Sequence, residues 1–235
     1  MKLFLVLLII SGSLVIASPA EAAKCSGGQY QRQVGSYLMK DRRFGITNND
    51  CIQTKAEKVA IKKWQAYNSI TADGIAGPRS YKLAVWLSTA FTGASRCNAN
   101  QGRTVCVDLT YQVAFVRQGT RFLAGPWPIR SGARWSDGTG GPTPVGLYKV
   151  THKKQKTKSI DYGAYMYYWE GFQGCGPKNC SVGLHQATTN MYDPSAPGSH
   201  GCVNLLSTGA RDIWKYTTVG TYVRTYGTKV GRKYV

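Results

Sequence analysis

Apolar residues are spaced in three ways along this chain, and each spacing predicts a different element. A continuous run comes first: LFLVLLII, then SGSLVIA, within residues 1–23. Lys2 precedes it and the A-x-A site Ala20-Glu21-Ala22 follows, the order of a secretory signal peptide. The run is too short for a comfortable membrane span. Helical spacing comes next. In AEKVAIKKWQAYNSI, Val59, Ala60, Trp64 and Tyr67 make one apolar stripe with a wet face opposite. TADGIAGPRS then turns the chain through Asp73-Gly74 and Gly77-Pro78, and Ser80 is placed to cap a last helix over YKLAVWL. Beyond residue 103 the pattern is that of strands. VCVDLTYQVAFV and RFLAGPWPI are parted by a turn at Gln118-Gly119, and VGTYVRTY closes the series. THKKQKTK reads as a solvated hairpin tip. Ser207 is placed to cap a helix whose apolar face carries Ala210, Ile213 and Trp214.

This pattern divides the chain into a signal peptide (1–23), a small α-helical domain (24–92), a linker (93–102), a mainly β domain (103–226) and a basic tail (227–235). The length, 235 residues, is enough for one large domain or two small ones with a real core.

Charge narrows the partners. Thirty Lys and Arg against 11 Asp and Glu give a formal +19, which favours an anionic partner. An export signal sets nucleic acid aside and leaves an anionic wall polymer or membrane. It also frames the cysteines. Seven are present, Cys25, Cys51, Cys97, Cys106, Cys175, Cys180 and Cys202, and an odd number in an exported chain leaves one reduced thiol. Short loops favour Cys97–Cys106 and Cys175–Cys180, which leaves Cys25–Cys51 by elimination. Cys175, Cys180, His200 and Cys202 can also be written as four zinc ligands, but an oxidising compartment would pair cysteines so close in sequence. No metal or cofactor is expected.

Cys202 is set apart by its neighbours. In HQATTNMYDPSAPGSHGCVN, residues 185–204, His200 lies two positions before it across Gly201, Ser199 precedes His200, and His185 lies upstream. A thiol becomes a good nucleophile when a neighbouring imidazole takes its proton. On an extended strand, positions two apart face the same side, which would bring His200 to Cys202. Gly201 would let the backbone approach a bound carbonyl, with a nearby N–H for an oxyanion.

The string Ser199-His200-Gly201-Cys202-Val203-Asn204, with His185 before it, resembles the active-site signature of the L,D-transpeptidase (YkuD-like) catalytic domain. Thr143-Pro144-x-Gly146-x-Tyr148 resembles a second stretch of that domain, and MYYWEGF then GLH resembles the strands leading to the first histidine of the signature. Upstream, Trp64, Gln65, Asp73, Gly74, Ile75, Gly77, Pro78 and Ser80 match the second half of a three-helix peptidoglycan-binding module. The resemblance implies a β-sandwich or barrel catalytic domain behind a small helical wall-binding domain. It implies a secreted, wall-associated peptidoglycan enzyme with no transmembrane anchor once the signal is cleaved. Cys202 would attack the third stem residue's carbonyl and expel D-Ala, with His200 as base. Backbone N–H groups near Gly201 and Cys202 would hold the oxyanion, and Ser199 and Asn204 would fix the local backbone and the His200 ring. His185 and Asn204 would serve the donor site. An acceptor amine then gives a cross-link, and water gives carboxypeptidase activity. Two rivals use the same features: a cell-wall cysteine peptidase, and a non-catalytic wall-binding protein.

Overall fold

A computed structural model describes residues 25–174, 181–187, 191–192 and 198–229. The signal peptide, the Cys175–Cys180 pair and the tail from residue 230 lie outside the described residues.

Among the described residues the helical unit has three α-helices. α1 (Gln31–Lys40) covers the VGSYLM stretch. α2 (Lys55–Tyr67) opens on a capping box, in which Thr54 accepts from the Glu57 N–H and Glu57 from the Thr54 N–H. α3 (Pro78–Thr92) starts two residues before the expected Ser80 cap, because Pro78 fits the first helical turn and Gly77 takes the capping position. The Ser80 hydroxyl instead accepts from Gln65 Nε2 at 3.0 Å, and the same nitrogen donates to Asp73 Oδ1 and the Ile75 carbonyl, each at 2.9 Å. Gln65 thus ties down the turn between α2 and α3 from inside. Val59, expected in the apolar stripe, is half exposed, and Ile61 joins Ala60 and Trp64 in the core instead. Trp64 has no exposed surface, so its match to the binding module reflects packing and not a face for a ligand.

A 3₁₀ turn (Ala94–Cys97) leads out of α3. The linker is stapled down: Cys97 bonds to Cys106 in the first strand, and Cys25 bonds to Cys51 within the helical unit. Both pairings match the sequence reading.

Among the described residues nine strands form one sheet: β1 (Arg103–Asp108), β2 (Val113–Gln118), β3 (Arg121–Arg130), β4 (Gly146–Lys149), β5 (His152–Lys158), β6 (Tyr165–Gly174), β7 (Ser181–Gln186), β8 (Val203–Leu205) and β9 (Tyr222–Tyr226). Their order is β4-β9-β1-β2-β3-β8-β7-β6-β5. The sheet curls, so that Tyr148 of β4 meets Phe172 of β6 with ring centroids 5.6 Å apart. VCVDLTYQVAFV is two strands and not one. Asp108 Oδ1 accepts from the N–H groups of Thr110 and Tyr111 and folds the chain back between β1 and β2. The lysine-rich stretch is also a strand, β5, at the edge of the sheet, where its polar side chains meet water. α4 (Ser207–Tyr216) closes over the sheet through Ala210 and Ile213, while Trp214 is half-buried. Its capping position is Leu206, one residue before the expected Ser207.

The two units share a core. Phe115 and Phe122 of the sheet stack on one another, and Phe122 meets Phe91 of α3 at 5.0 Å. Polar contacts cross the same boundary. Trp127 Nε1 donates to Tyr67 Oη at 2.7 Å, Tyr67 Oη donates to Asp212 at 2.5 Å, and Arg43 Nη2 donates to the Pro126 carbonyl at 3.0 Å.

Candidate active site

β7 and β8 run parallel in the sheet, with His185 beside Asn204 and Leu184 beside Val203. The same register carried back one residue puts Gly183 beside Cys202, and the Gly183 backbone bonds to the Cys202 sulfur. Alternate residues of a strand share a face, so Gly183 and His185 turn the same way. A cavity of about 630 Å³ opens there, and Cys202, His185, Asn204, Ser199, His200 and Gly201 all line it. The six residues singled out by the motif are therefore gathered at one place.

The turn into β8 is held from two sides. Ser199 bridges to Gly132, and its hydroxyl accepts from the Gly201 N–H at 3.1 Å while donating to the Cys202 carbonyl. Thr143 Oγ1 donates to the Gly201 carbonyl at 2.7 Å and accepts from the Gly132 N–H at 2.9 Å. Gly201 has φ +143°, a region L side chains rarely adopt. A Cβ on Gly132 would come within 2.6 Å of the Gly201 Cα, so only glycine lets the two loops touch.

This turn corrects two expectations. Residues 200–202 form a bend and β8 begins only at Val203, so the same-face argument for His200 and Cys202 does not apply. The His200 ring is instead stacked between Trp135 and Tyr162, with centroids 4.4 and 4.0 Å away. The Gly201 N–H is also spent on Ser199, so it does not point to a substrate oxygen.

His185 has the environment of a base. Its Nδ1 lies 2.7 Å from the Gln186 carbonyl, which can only accept, so Nδ1 carries the proton and Nε2 the lone pair. Burial pulls its pKa down to about 4, so the ring is neutral near pH 7. Burial pushes the Cys202 thiol up to about 11, against the opposing effect of the Gly183 bond. Desolvation thus favours the neutral thiol and the neutral His185 ring over their charged forms. Asn204 Oδ1 is buried with no hydrogen-bond partner among the described residues, an acceptor available to a ligand N–H.

Several residues lining or bracing this site were not singled out from sequence. Thr143 lay in a matched stretch but showed no role there, since its partners are 11 and 58 residues away. Trp135 and Tyr162 carry no local signal and reach His200 only through the fold.

A half-buried reduced cysteine, a buried imidazole one strand away and a cavity of about 630 Å³ over both have the makings of a cysteine acyl-transfer site. Comparison with known proteins agrees. Residues 102–226 match the family model of the L,D-transpeptidase (YkuD) catalytic domain. The crystal structure of an L,D-transpeptidase from Stackebrandtia nassauensis is similar with 31% identity and a TM-score of 0.69, covering 88% of this chain and 95% of that one. The L,D-transpeptidase structure from Xylanimonas cellulosilytica is 21% identical with a TM-score of 0.50, covering 86% and 96%, and supports the fold alone. No curated protein matches the sequence significantly. The chain belongs to the L,D-transpeptidase family and is an enzyme. The first similarity spans more of the chain than the catalytic match and so extends into the helical unit.

Proposed function

We propose that this protein is an exported peptidoglycan L,D-transpeptidase. Cys202 attacks the carbonyl of the third stem residue, and the electron pair moves onto the carbonyl oxygen. Collapse of that tetrahedral species expels D-Ala as the amine and leaves a thioester. An acceptor amine, or water, then displaces the sulfur. The observation that carries the reading is the placement of the Cys202 thiol one strand from His185, with a single tautomer enforced at His185 by Gln186.

That observation also shifts the roles among the motif residues. His185 is the better base: Nε2 takes the thiol proton as the sulfur attacks and returns it to the leaving amine. His200, held between two rings, braces the mouth of the cavity. Ser199 and Thr143 hold the backbone at Cys202, and Asn204 Oδ1 receives a substrate N–H. The helical unit, through its exposed face, and the +19 charge hold the enzyme to peptidoglycan and anionic wall polymers. Among the described residues no helix is long and apolar enough to cross a membrane.

Incubating the mature protein with purified sacculi and analysing the products by mass spectrometry tests the reading. New cross-linked dimers mark transfer, and shortened stems mark hydrolysis through the same thioester. Unchanged muropeptides, or activity surviving in Cys202→Ala, would overturn it.

A further inference from the structure

His152, the third histidine of the chain, lies on the edge strand β5 and lines the same cavity. Its partners fix its state. Trp169 Nε1 lies 2.8 Å from His152 Nε2, and an indole N–H can only donate. His152 Nε2 therefore carries the lone pair, and Nδ1 carries the proton. That proton goes to Thr151 Oγ1 at 3.0 Å, whose own proton goes to the Gly171 carbonyl at 3.0 Å. Every donor in this chain has one acceptor, and the chain ends on the sheet backbone.

Two paired glycines make the space for it. Gly171 of β6 and Gly183 of β7 stand opposite each other. A Cβ on Gly171 would come within 2.3 Å of the His152 ring, and one on Gly183 within 2.8 Å of the Trp169 ring. Each ring occupies the space a Cβ on its glycine would take, so a larger residue would push it away. Trp169 reaches two parts of the site at once. It covers Gly183, whose backbone bonds to the Cys202 sulfur, and its ring centroid is 5.7 Å from that of His185. Trp169 is buried, so its position is set by packing and by this one polar contact.

We propose that His152 and Trp169 are positioning residues of the reaction: the hydrogen bond between them locks the indole, and the indole fixes the His185 ring and the Gly183 backbone against Cys202. This rests on the transpeptidase reading for its kinetic consequence and not for its geometry. Neither residue touches the reacting atoms. Trp169→Phe keeps a ring but removes the donor. His152→Ala removes the acceptor. His152→Gln keeps an acceptor oxygen at about the reach of Nε2 and cannot replace the ring's bulk.

The test has two arms on the full-length mature chain. The first is long-range proton–nitrogen NMR of histidine-labelled protein. Wild type should show His185 as the single Nδ1–H tautomer, and Trp169→Phe and His152→Ala should show averaging of its two nitrogens. The second is the rate of Cys202 acylation by a carbapenem, followed by intact mass. The same variants should lose roughly tenfold in the limiting rate, less than the hundredfold or more that a positioned base contributes, because the base is loosened and not removed. The half-saturating concentration should stay constant, and His152→Gln should recover most of the rate. A single His185 tautomer and wild-type acylation in Trp169→Phe would overturn the proposal. So would a rise in half-saturation at unchanged limiting rate, which would make Trp169 a substrate contact. Should Trp169→Phe fail to fold, His152→Ala and Gly171→Ala decide. Wild type that is never acylated defeats the transpeptidase reading, while the NMR arm still judges the pair.

Discussion

The neutral resting state of Cys202 and His185 leads to a sharp separation between two reactions of the same sulfur. An ordinary cysteine, with a pKa near ~8.5, is a few per cent thiolate at neutral pH. With the thiol pushed up to about 11 by burial, only about one molecule in ten thousand is thiolate near pH 7. Iodoacetamide, which has no proton acceptor to bring and reacts with thiolate, should therefore alkylate Cys202 roughly three hundredfold more slowly than a free cysteine. The rate should climb about tenfold per pH unit toward pH 10. A carbapenem seated in the cavity is attacked while His185 takes the proton, so its acylation rate follows the base. His185 is pulled down to about 4, so acylation should stay nearly flat down to about pH 5. An unperturbed imidazole near ~6.5 would already have lost most of the rate there. The assay is intact-mass time courses with both reagents across one pH series. Alkylation that plateaus below about pH 8 would show an ion pair at rest, acylation that halves near pH 6.5 would show an unperturbed imidazole, and either would refute the reasoning.

Other substitutions probe the frame around the site. Glu170 is 1% exposed and burial raises its pKa to about 7. Its stabilising share is full below the unfolded value and is lost as pH rises through the folded one; Glu170→Gln should raise Tm at pH 8 by an amount worth up to about 3 kcal/mol, and little at pH 4. An equal Tm gain at both pH values would show that the carboxylate charge is not the cause. Tyr67→Phe leaves the buried Trp127 N–H and the Asp212 carboxylate without the hydroxyl they share; urea unfolding should report a loss of about 1–3 kcal/mol. Thr143→Val removes the partner of both the Gly201 carbonyl and the Gly132 N–H; it should cost about 2–4 kcal/mol by the same principle and slow acylation, whereas an unchanged acylation rate would remove Thr143 from the support of Cys202.

Local order fixed much of this protein before any contact between distant residues. The capping box at Thr54, the Pro78 start of α3, the Gly119 turn and the strands that carry His185 and begin after Cys202 follow from a few neighbouring residues each. The Cys97–Cys106 disulfide was readable for a related reason, since loop closure favours near partners, and Cys25–Cys51 followed by elimination. The six residues named by the motif likewise all line the cavity. Their roles were another matter. His200 is two residues from Cys202 in sequence, yet the bend at Gly201 turns its ring into the Trp135–Tyr162 stack. His185 is seventeen residues away along the chain and one strand away in space, because β7 and β8 pair in parallel. Parallel pairing joins segments that carry no mark of each other's register. The protonation states were decided there too. Burial raises a thiol and lowers an imidazole only when the whole sheet has closed around them, and no spacing of residues encodes how much water remains.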